Sequence, residues 1–298
     1  MTTKTRMPRK SIEEKKAQAE ALHASISEQV DALRGTGQWQ RFLNFAQSFH
    51  AYSLGNLLLI LSQCPDATAV AGFRAWQAKG RQVRKGERGI RIFGYRQQKV
   101  TEEDDSGEEV EKSITRFPVL SVFDIGQTEP IDGVPDNSTL TRQLVGTDDL
   151  GIVDALSDHL RAEGWTITRQ NLPGTKNGYT QPEQRLVVLE ENLSPEHAAK
   201  TMIHETAHIE LGHIEDMTEY LEHRGLRETE AESVAYVVAG MLGIDTSAYS
   251  IGYIAGWSEG NTDLIKSTAT RVLRAAHTIA GTLSPEEEAE EAEEAEGE

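Results

Sequence analysis

The stretch that decides the fold is SPEHAAKTMIHETAHIELGH, which runs from Ser194 to His213. Near its centre, His204 and His208 are four positions apart, so both imidazoles project from one face of a helix. The Ser-Pro pair at its start is typical of an N-cap and a first helical residue, and Gly212 is typical of a helix end. The sequence therefore predicts one helix that starts at the proline and ends at about Leu211.

The centre of this helix, His204-Glu205-Thr206-Ala207-His208, has the pattern HExxH. In this pattern two imidazoles bind one metal ion, and the glutamate accepts a proton from the attacking water. A simpler interpretation is a pair of partly exposed histidines on an amphipathic helix, but the apolar residues on either side indicate a buried setting. Two imidazoles and a carboxylate favour zinc. We predict that the two histidines bind Zn²⁺ and that Glu205 is the catalytic base of peptide hydrolysis.

A catalytic zinc site needs a third protein ligand, and the downstream segment RETEAESVAYVVAGML offers three glutamates. Glu228 follows His208 at a distance that lets a second helix return antiparallel beside the first, and it is the predicted third ligand. Glu232, one turn later on the same face, is the predicted hydrogen-bond acceptor for a ligand imidazole. Glu230 remains the main competitor for the metal, because the sequence does not fix where this helix starts.

His213 is a further histidine close to the motif. A third histidine ligand follows HExxH in the pattern HExxHxxGxxH, but both the glycine and the histidine of this chain are one position out of register. We therefore expect His213 to be a helix-end histidine that interacts with free carbonyl groups.

Composition sets broad limits on the whole chain. The 298 residues are 38% hydrophobic and 26% charged, which is typical of a soluble globular protein of two domains. The net charge is −18, and nine glutamates after Pro285 contribute half of it. No apolar stretch has the length of a membrane span, the first residues do not form a signal peptide, and Cys64 is the single cysteine. We expect a cytoplasmic protein with no membrane partner.

A basic segment stands out within this acidic chain. Between Arg74 and Lys99 there are nine lysines or arginines and one glutamate, interleaved with aromatic residues that include Tyr95. Basic grooves with exposed rings hold single-stranded nucleic acid, because phosphates pair with the cations and bases stack on the rings. The alternative is a solvated hairpin face whose aromatic residues belong to the core. The predicted contacts are Arg74, Lys79, Arg81, Arg84, Lys85, Arg88, Arg91, Tyr95 and Arg96.

Two blocks of sequence resemble a known family. NLLLILSQCPDATAVAGFRAWQAKGRQVRKGERGIRIFGY, followed by FPVLSVFDIGQTE, resembles the N-terminal single-stranded-DNA-binding domain of ArdC-type antirestriction proteins over about residues 38 to 130. RLVVLEENLSPEHAAKTMIHETAHIELGH with ETEAESVAYVVAGMLGID is similar to the zincin-like peptidase half of the same proteins and to the ImmA/IrrE metallopeptidases. The resemblance implies His204, His208 and one acid of ETEAE as metal ligands, with Glu205 catalytic.

The composition and patterning of the chain predict its organisation, and the resemblance supplies the names of the two domains. The fold class is α+β with two domains: helices and a small antiparallel sheet first, then a zincin-like domain with the HExxH helix. A basic, disordered arm covers residues 1–10 and a single-stranded-DNA-binding-like domain covers 11–126. A linker covers 127–147, the metallopeptidase domain 148–282, and a disordered acidic tail 283–298.

Three functions are compatible with the sequence. The first is a zinc metallopeptidase of the antirestriction type that binds single-stranded DNA, protects or accompanies mobile DNA, and hydrolyses a protein partner. The second is a non-catalytic DNA-binding protein whose metal domain is structural or vestigial. The third is a regulatory peptidase of the ImmA/IrrE kind. The acidic insert at residues 102–111 and the glutamate tail do not come from the family pattern.

Overall fold

The computed structural model describes residues 11–49, 52–103, 109–136, 151–214, 223–244 and 261–283. Contacts divide the chain into two compact units, which are described separately. The first contains Met1–Gln29 and Leu58–Pro135, and the second contains Val30–Leu57 and Asp136–Glu298. The predicted basic arm and all but the first residue of the predicted acidic tail lie outside the described residues. The fold class is confirmed, because helices and small sheets alternate in two units.

The first unit contains most of helix α1 (Ile12–Ala32), which begins with a capping box. The Ser11 hydroxyl accepts from the backbone N–H of Glu14 at 3.0 Å, and the Glu14 carboxylate accepts from the N–H of Ser11 at 2.7 Å. Both contacts satisfy N–H groups that the first turn of a helix leaves without partners. Helix α3 (Leu54–Gln63) leads into the sheets of this unit.

The sheets of the first unit are antiparallel. Strand β6 (Val119–Asp124) lies between β1 (Val70–Gly72) and β3 (Ile90–Phe93). Separate two-stranded ladders join β2 (Arg81–Val83) to β7 (Thr128–Pro130), and β4 (Arg96–Glu103) to β5 (Glu109–Arg116). Between β1 and β2, helix α4 (Phe73–Ala78) buries Trp76, whose indole N–H donates to the Phe123 carbonyl at 2.8 Å. The ring that anchors the basic segment therefore belongs to the core.

Two boundaries differ from the predicted ones. The linker was predicted from residue 127, but β7 pairs with β2, so residues 128–130 belong to the sheet of the first unit. The predicted first domain also included α2 (Thr36–Ala46), which packs on a helix of the second unit through Asn44 and Gln47. Both differences arise from pairing over long sequence separations, which local periodicity does not report. The predicted linker beyond residue 136 lies outside the described residues.

The second unit is built around a small mixed sheet. Its central strand is β10 (Leu186–Glu190), whose middle three residues are fully buried. Strand β8 (Thr166–Gln170) pairs with it in parallel, after helix α5 (Ile152–Ala162), and β9 (Gly178–Gln181) pairs antiparallel on the other side. The parallel pair accounts for the nearly continuous apolar run in β10, because such strands are covered on both faces.

Three helices complete the second unit: α6 (Pro195–Glu210), α7 (Arg224–Met241) and α8 (Thr262–Leu283). Helix α6 has the predicted ends: the Ser194 hydroxyl accepts from the N–H of His197 at 3.3 Å, and Gly212 has a φ of 67°. At that φ a glycine is favoured, because the left-handed region is strained for other residues. Helix α6 contacts α7, α5, α8 and the sheet. Within the described ranges, no helix is long and apolar enough to span a bilayer.

Candidate metal centre and basic surface

The two histidines of α6 and one glutamate of α7 converge on one point. Nε2 of His204 and Nε2 of His208 are 3.2 Å apart. Oε2 of Glu228 lies 3.6 Å from the former nitrogen and 3.8 Å from the latter. Donors at about 2.0–2.1 Å from a tetrahedral zinc ion lie about 3.3–3.4 Å from one another. The spacing and chemistry of this triangle fit a metal ion, and these three residues are the ones that could hold it.

The charge of the site also fits a cation. Burial opposes protonation of His204, but hydrogen bonds to Glu228 and Glu232 and the charge of Glu205 outweigh it and raise the pKa of His204 to about 10. The same carboxylates favour any positive charge at this point, including a divalent ion. An ion and a proton therefore compete for the imidazole nitrogens.

Two further glutamates lie against this centre. Oε2 of Glu232 is 3.3 Å from Nδ1 of His204, within reach of a hydrogen bond that would orient the ring. Glu205 is buried, and its Oε2 accepts from the Thr180 hydroxyl at 2.7 Å. Thr180 belongs to β9, so the sheet holds the carboxylate of the HExxH glutamate. No sequence motif marks Thr180, because it enters the site only through strand pairing.

Glu230 occupies a different place from Glu228. Its side chain is fully buried, and its Oε2 lies 2.8 Å from Nε2 of His213 and 3.2 Å from a guanidinium nitrogen of Arg271. Glu228, not Glu230, is thus the acid beside both imidazoles of the motif. The expectation for His213 was wrong: its ring is buried and its Nδ1 is 3.0 Å from Nδ1 of His208. Burial lowers the pKa of His213.

A cleft of about 350 Å³ opens beside the centre, in the volume range of ligand-binding pockets. One wall is the face of α6 that carries His204 and Glu205, and another is the edge strand β9. The lining residues are Asn177, Gly178, His197, Lys200, Thr201, His204, Glu205 and Glu232.

The predicted contacts of the basic segment fall into two groups in the first unit. Arg81 donates to the Thr128 hydroxyl at 2.7 Å, Arg84 pairs with Glu87 at 2.9 Å, and Arg91 donates to the Ser121 hydroxyl. These guanidinium groups hold neighbouring strands and turns together. Lys79 is half-buried. Among the predicted basic contacts, four are exposed and form no ion pair within the described residues: Arg74, Lys85, Arg88 and Arg96.

Tyr95 lies at one end of the β4–β5 ladder and is part of a pair of rings. Its ring and that of Phe117 are each 63% exposed, with centroids 6.1 Å apart. Arg96 and Arg116, the next residues inward on each strand, are directly opposite each other. Phe117 and Arg116 escaped the sequence reasoning, which stopped at residue 99. The signal was the mirrored pair Tyr-Arg and Arg-Phe at the two ends of the hairpin.

Comparison with known proteins assigns both parts of the chain. Helices around a small sheet, with histidines and an acid converging beside a cleft, define the second unit as metallopeptidase-like. The IrrE N-terminal-like domain, a peptidase family, matches residues 163–250, and the N-terminal domain of the anti-restriction factor ArdC matches residues 16–124. Residues 16–124 thus resemble an ArdC N-terminal domain and residues 163–250 an IrrE-like peptidase domain, so the predicted resemblance is confirmed.

Individual relatives were also found. The chain is 28% identical over 260 residues to an uncharacterized Bacillus anthracis protein, pXO2-81, covering 74% of this chain and 43% of the relative. It therefore spans less than half of that protein. Two crystal structures of the antirestriction ArdC protein from the R388 plasmid are similar at 20% identity. The metal-free one has a TM-score of 0.46 and covers 79% of this chain and 86% of its own. The Mn(II)-bound one has a TM-score of 0.42, with 78% and 90% covered.

Proposed function

We propose that this protein is a zinc peptidase of the antirestriction type that binds single-stranded DNA and cleaves a protein partner. The observation that carries the peptidase part is the triangle of His204, His208 and Glu228 beside a cleft that Glu205 also lines. When bound there, a zinc ion supplies Lewis acidity, which polarises a peptide carbonyl and makes water a stronger nucleophile.

The residues of the chain supply the proton transfers. Glu205 accepts the proton of the attacking water and later gives it to the leaving amine. The Thr180 hydroxyl donates to Oε2 of this carboxylate, so we expect Oε1 to exchange the proton with the reactants. An extended substrate can pair with β9, which contributes Gly178 to the wall of the cleft and is an end strand of its sheet within the described residues.

The test of the peptidase is Glu205→Gln, which keeps the shape of the side chain and removes the base. We expect the variant to bind one equivalent of zinc and to lose hydrolysis by about 100–10,000-fold, the usual contribution of a general base. The matched control is Glu210→Gln, which lies on the same helix and pairs with His159 at 3.2 Å. Activity that survives in Glu205→Gln, or that disappears equally in the control, would contradict the proposed role.

Single-stranded DNA binding rests on the exposed rings of Tyr95 and Phe117 beside Arg96 and Arg116. Like charges directly opposite on neighbouring strands destabilise a ladder, so the arginine pair implies an anionic partner. Rings beside such cations can stack on bases. Binding of wild-type protein to a thymidine oligonucleotide should weaken as salt rises, because bound phosphates release counterions. Weak binding that does not respond to salt would exclude this partner.

An IrrE-like regulatory peptidase is the second candidate, and the match of residues 163–250 favours it. Protection of incoming DNA from restriction separates the candidates. Glu205→Gln should abolish protection if proteolysis is needed, whereas charge reversal at Lys85, Arg88 and Arg96 should abolish it if DNA binding is needed. A regulatory peptidase would need only the first. A non-catalytic DNA-binding protein would need only the second.

A further inference from the structure

His208 has a second ring nitrogen, which points into a buried chain of hydrogen-bonding groups. Nδ1 of His208 lies 3.0 Å from Nδ1 of His213, and Nε2 of His213 lies 2.8 Å from Oε2 of Glu230. A guanidinium nitrogen of Arg271 lies 3.2 Å from the same oxygen. The side chains of His213 and Glu230 are 0% exposed, so solvent does not compete for these contacts.

The order of these buried hydrogen-bonding groups fixes the direction of each hydrogen bond between them. Oε2 of Glu230 accepts from the Arg271 guanidinium, which can only donate, so Nε2 of His213 is assigned as a second donor to the same oxygen. A neutral His213 that donates from Nε2 has a lone pair at Nδ1 and therefore accepts from Nδ1 of His208. His208 in that tautomer carries no proton on Nε2. Nε2 of His208 then presents a lone pair at the donor triangle, 3.2 Å from Nε2 of His204.

The backbone around His213 is held by Arg271 and by a second arginine, Arg227. Arg271 donates to the Leu211 carbonyl at 3.1 Å, and Arg227 donates to the carbonyl of His213 itself. Helices α7 and α8 thus hold the backbone at the end of α6, which fixes the point from which the His213 side chain extends.

We propose that His213, Glu230 and Arg271 form a positioning relay that holds His208 in its metal-binding tautomer and orientation. The inference rests on the proposed metal site and adds to it three residues that do not touch the ion. Outer partners of ligand histidines usually change metal affinity by about 10–100-fold when they are removed. The competing explanation is that His213 only fills space in the core.

Two substitutions at His213 separate these explanations. In His213→Asn the amide oxygen takes the place of Nδ1 and can still accept from His208, but the link to Glu230 is lost. In His213→Gln the amide nitrogen takes the place of Nε2 and can still donate to Glu230, but the acceptor for His208 is lost. Each variant removes one hydrogen bond from the same buried position, so a space-filling residue would respond alike to both.

The measurement is the zinc dissociation constant of the full chain, by competition with a chelator, together with the thermal stability of the metal-free protein. We expect His213→Gln to weaken zinc binding about 10–100-fold and His213→Asn to stay within about 3-fold of wild type. The Co²⁺ form of His213→Gln should also show an altered visible absorption spectrum. Ser233→Ala, a buried polar change on the helix of Glu230, is the matched control. It should change neither the zinc dissociation constant nor the Co²⁺ spectrum.

Arg271 gives a second test at a position that is 40% exposed, where substitution is tolerated. Arg271→Met should weaken zinc binding several-fold, and Arg271→Lys should retain it, because the ammonium group can also donate to the Glu230 carboxylate. Equal zinc affinities for His213→Asn and His213→Gln, whether near wild type or equally reduced, would overturn the relay. A different result would disprove the proposed metal site itself: wild type and His208→Ala would then bind zinc equally weakly.

Discussion

At the metal centre, the His208 ring is 5% exposed and hydrogen-bonding groups flank both of its nitrogens. At the basic surface, the Tyr95 ring is 63% exposed and touches one other ring. The first region fixes the direction of its hydrogen bonds, because its donors and acceptors are buried and partnered. The second leaves its rings and cations to solvent, so a partner supplies the missing contacts. Substitutions at the centre should therefore act through geometry, and those at the surface through charge and stacking.

The largest effect is expected at the centre itself. His208→Ala removes one of three ligands, and zinc affinity should fall roughly 100–1000-fold, as expected from dividing the binding energy of a structural zinc among its ligands. Equilibrium dialysis with zinc measures the change. His197→Ala, an exposed histidine on the same helix, is the control and should bind zinc normally. Equal losses in both variants would remove the distinction between a built site and surface histidines.

Glu228 and Glu230, two acids of α7, should respond differently to the same substitution. Glu228→Gln should weaken zinc binding about 100-fold with little change in the stability of the metal-free protein, because Glu228 is partly exposed. Glu230→Gln should weaken it only about 10-fold. It should also destabilise the fold by about 1–3 kcal/mol, since Arg271 loses a buried partner. Calorimetry of both variants with and without zinc measures the two effects. A larger affinity loss for Glu230→Gln would reassign the third ligand.

The next largest effect is expected on oligonucleotide binding, from the aromatic pair of the basic surface. Tyr95→Ala with Phe117→Ala removes the proposed stacking platform, and stacking contributes about 1–3 kcal/mol per base. Affinity for a thymidine oligonucleotide should therefore fall about 5–150-fold, with an unchanged dependence on salt. Fluorescence anisotropy measures both quantities. Zinc affinity should stay at the wild-type value, and a reduced value would show that the surface is not an independent region.

The smallest effect concerns the slope of affinity against salt. Arg96→Gln with Arg116→Gln removes two phosphate contacts, so the slope of log affinity against log salt should decrease by about 1.4, at about 0.7 per phosphate. Lys266→Gln with Arg274→Gln makes the same charge change at exposed positions of α8 and is the control. A decrease of equal size in the control would mean that net charge, and not this surface, governs binding.

Local signals predicted much of the candidate site. Ser194, the following proline and Gly212 set the ends of α6, because caps depend on residues within one turn of the helix end. The spacing of His204 and His208 placed two imidazoles on one face. Phe73 shows the limit of local reasoning: it lies three residues before the buried Trp76, but its ring is 48% exposed. A residue's position next to a buried one does not decide its own burial.

The sequence by itself determined the HExxH helix, the class of fold and the concentration of positive charge after Arg74. All three depend on periodicity, capping and composition, which act over a few residues. The tertiary structure alone brought Glu228 beside the two imidazoles and placed Glu230 behind them, and it seated His213 between His208 and Glu230. It also joined α2 to the second unit. These outcomes depend on the start and rotation of α7 and on the packing of elements far apart in the chain, which no local pattern encodes.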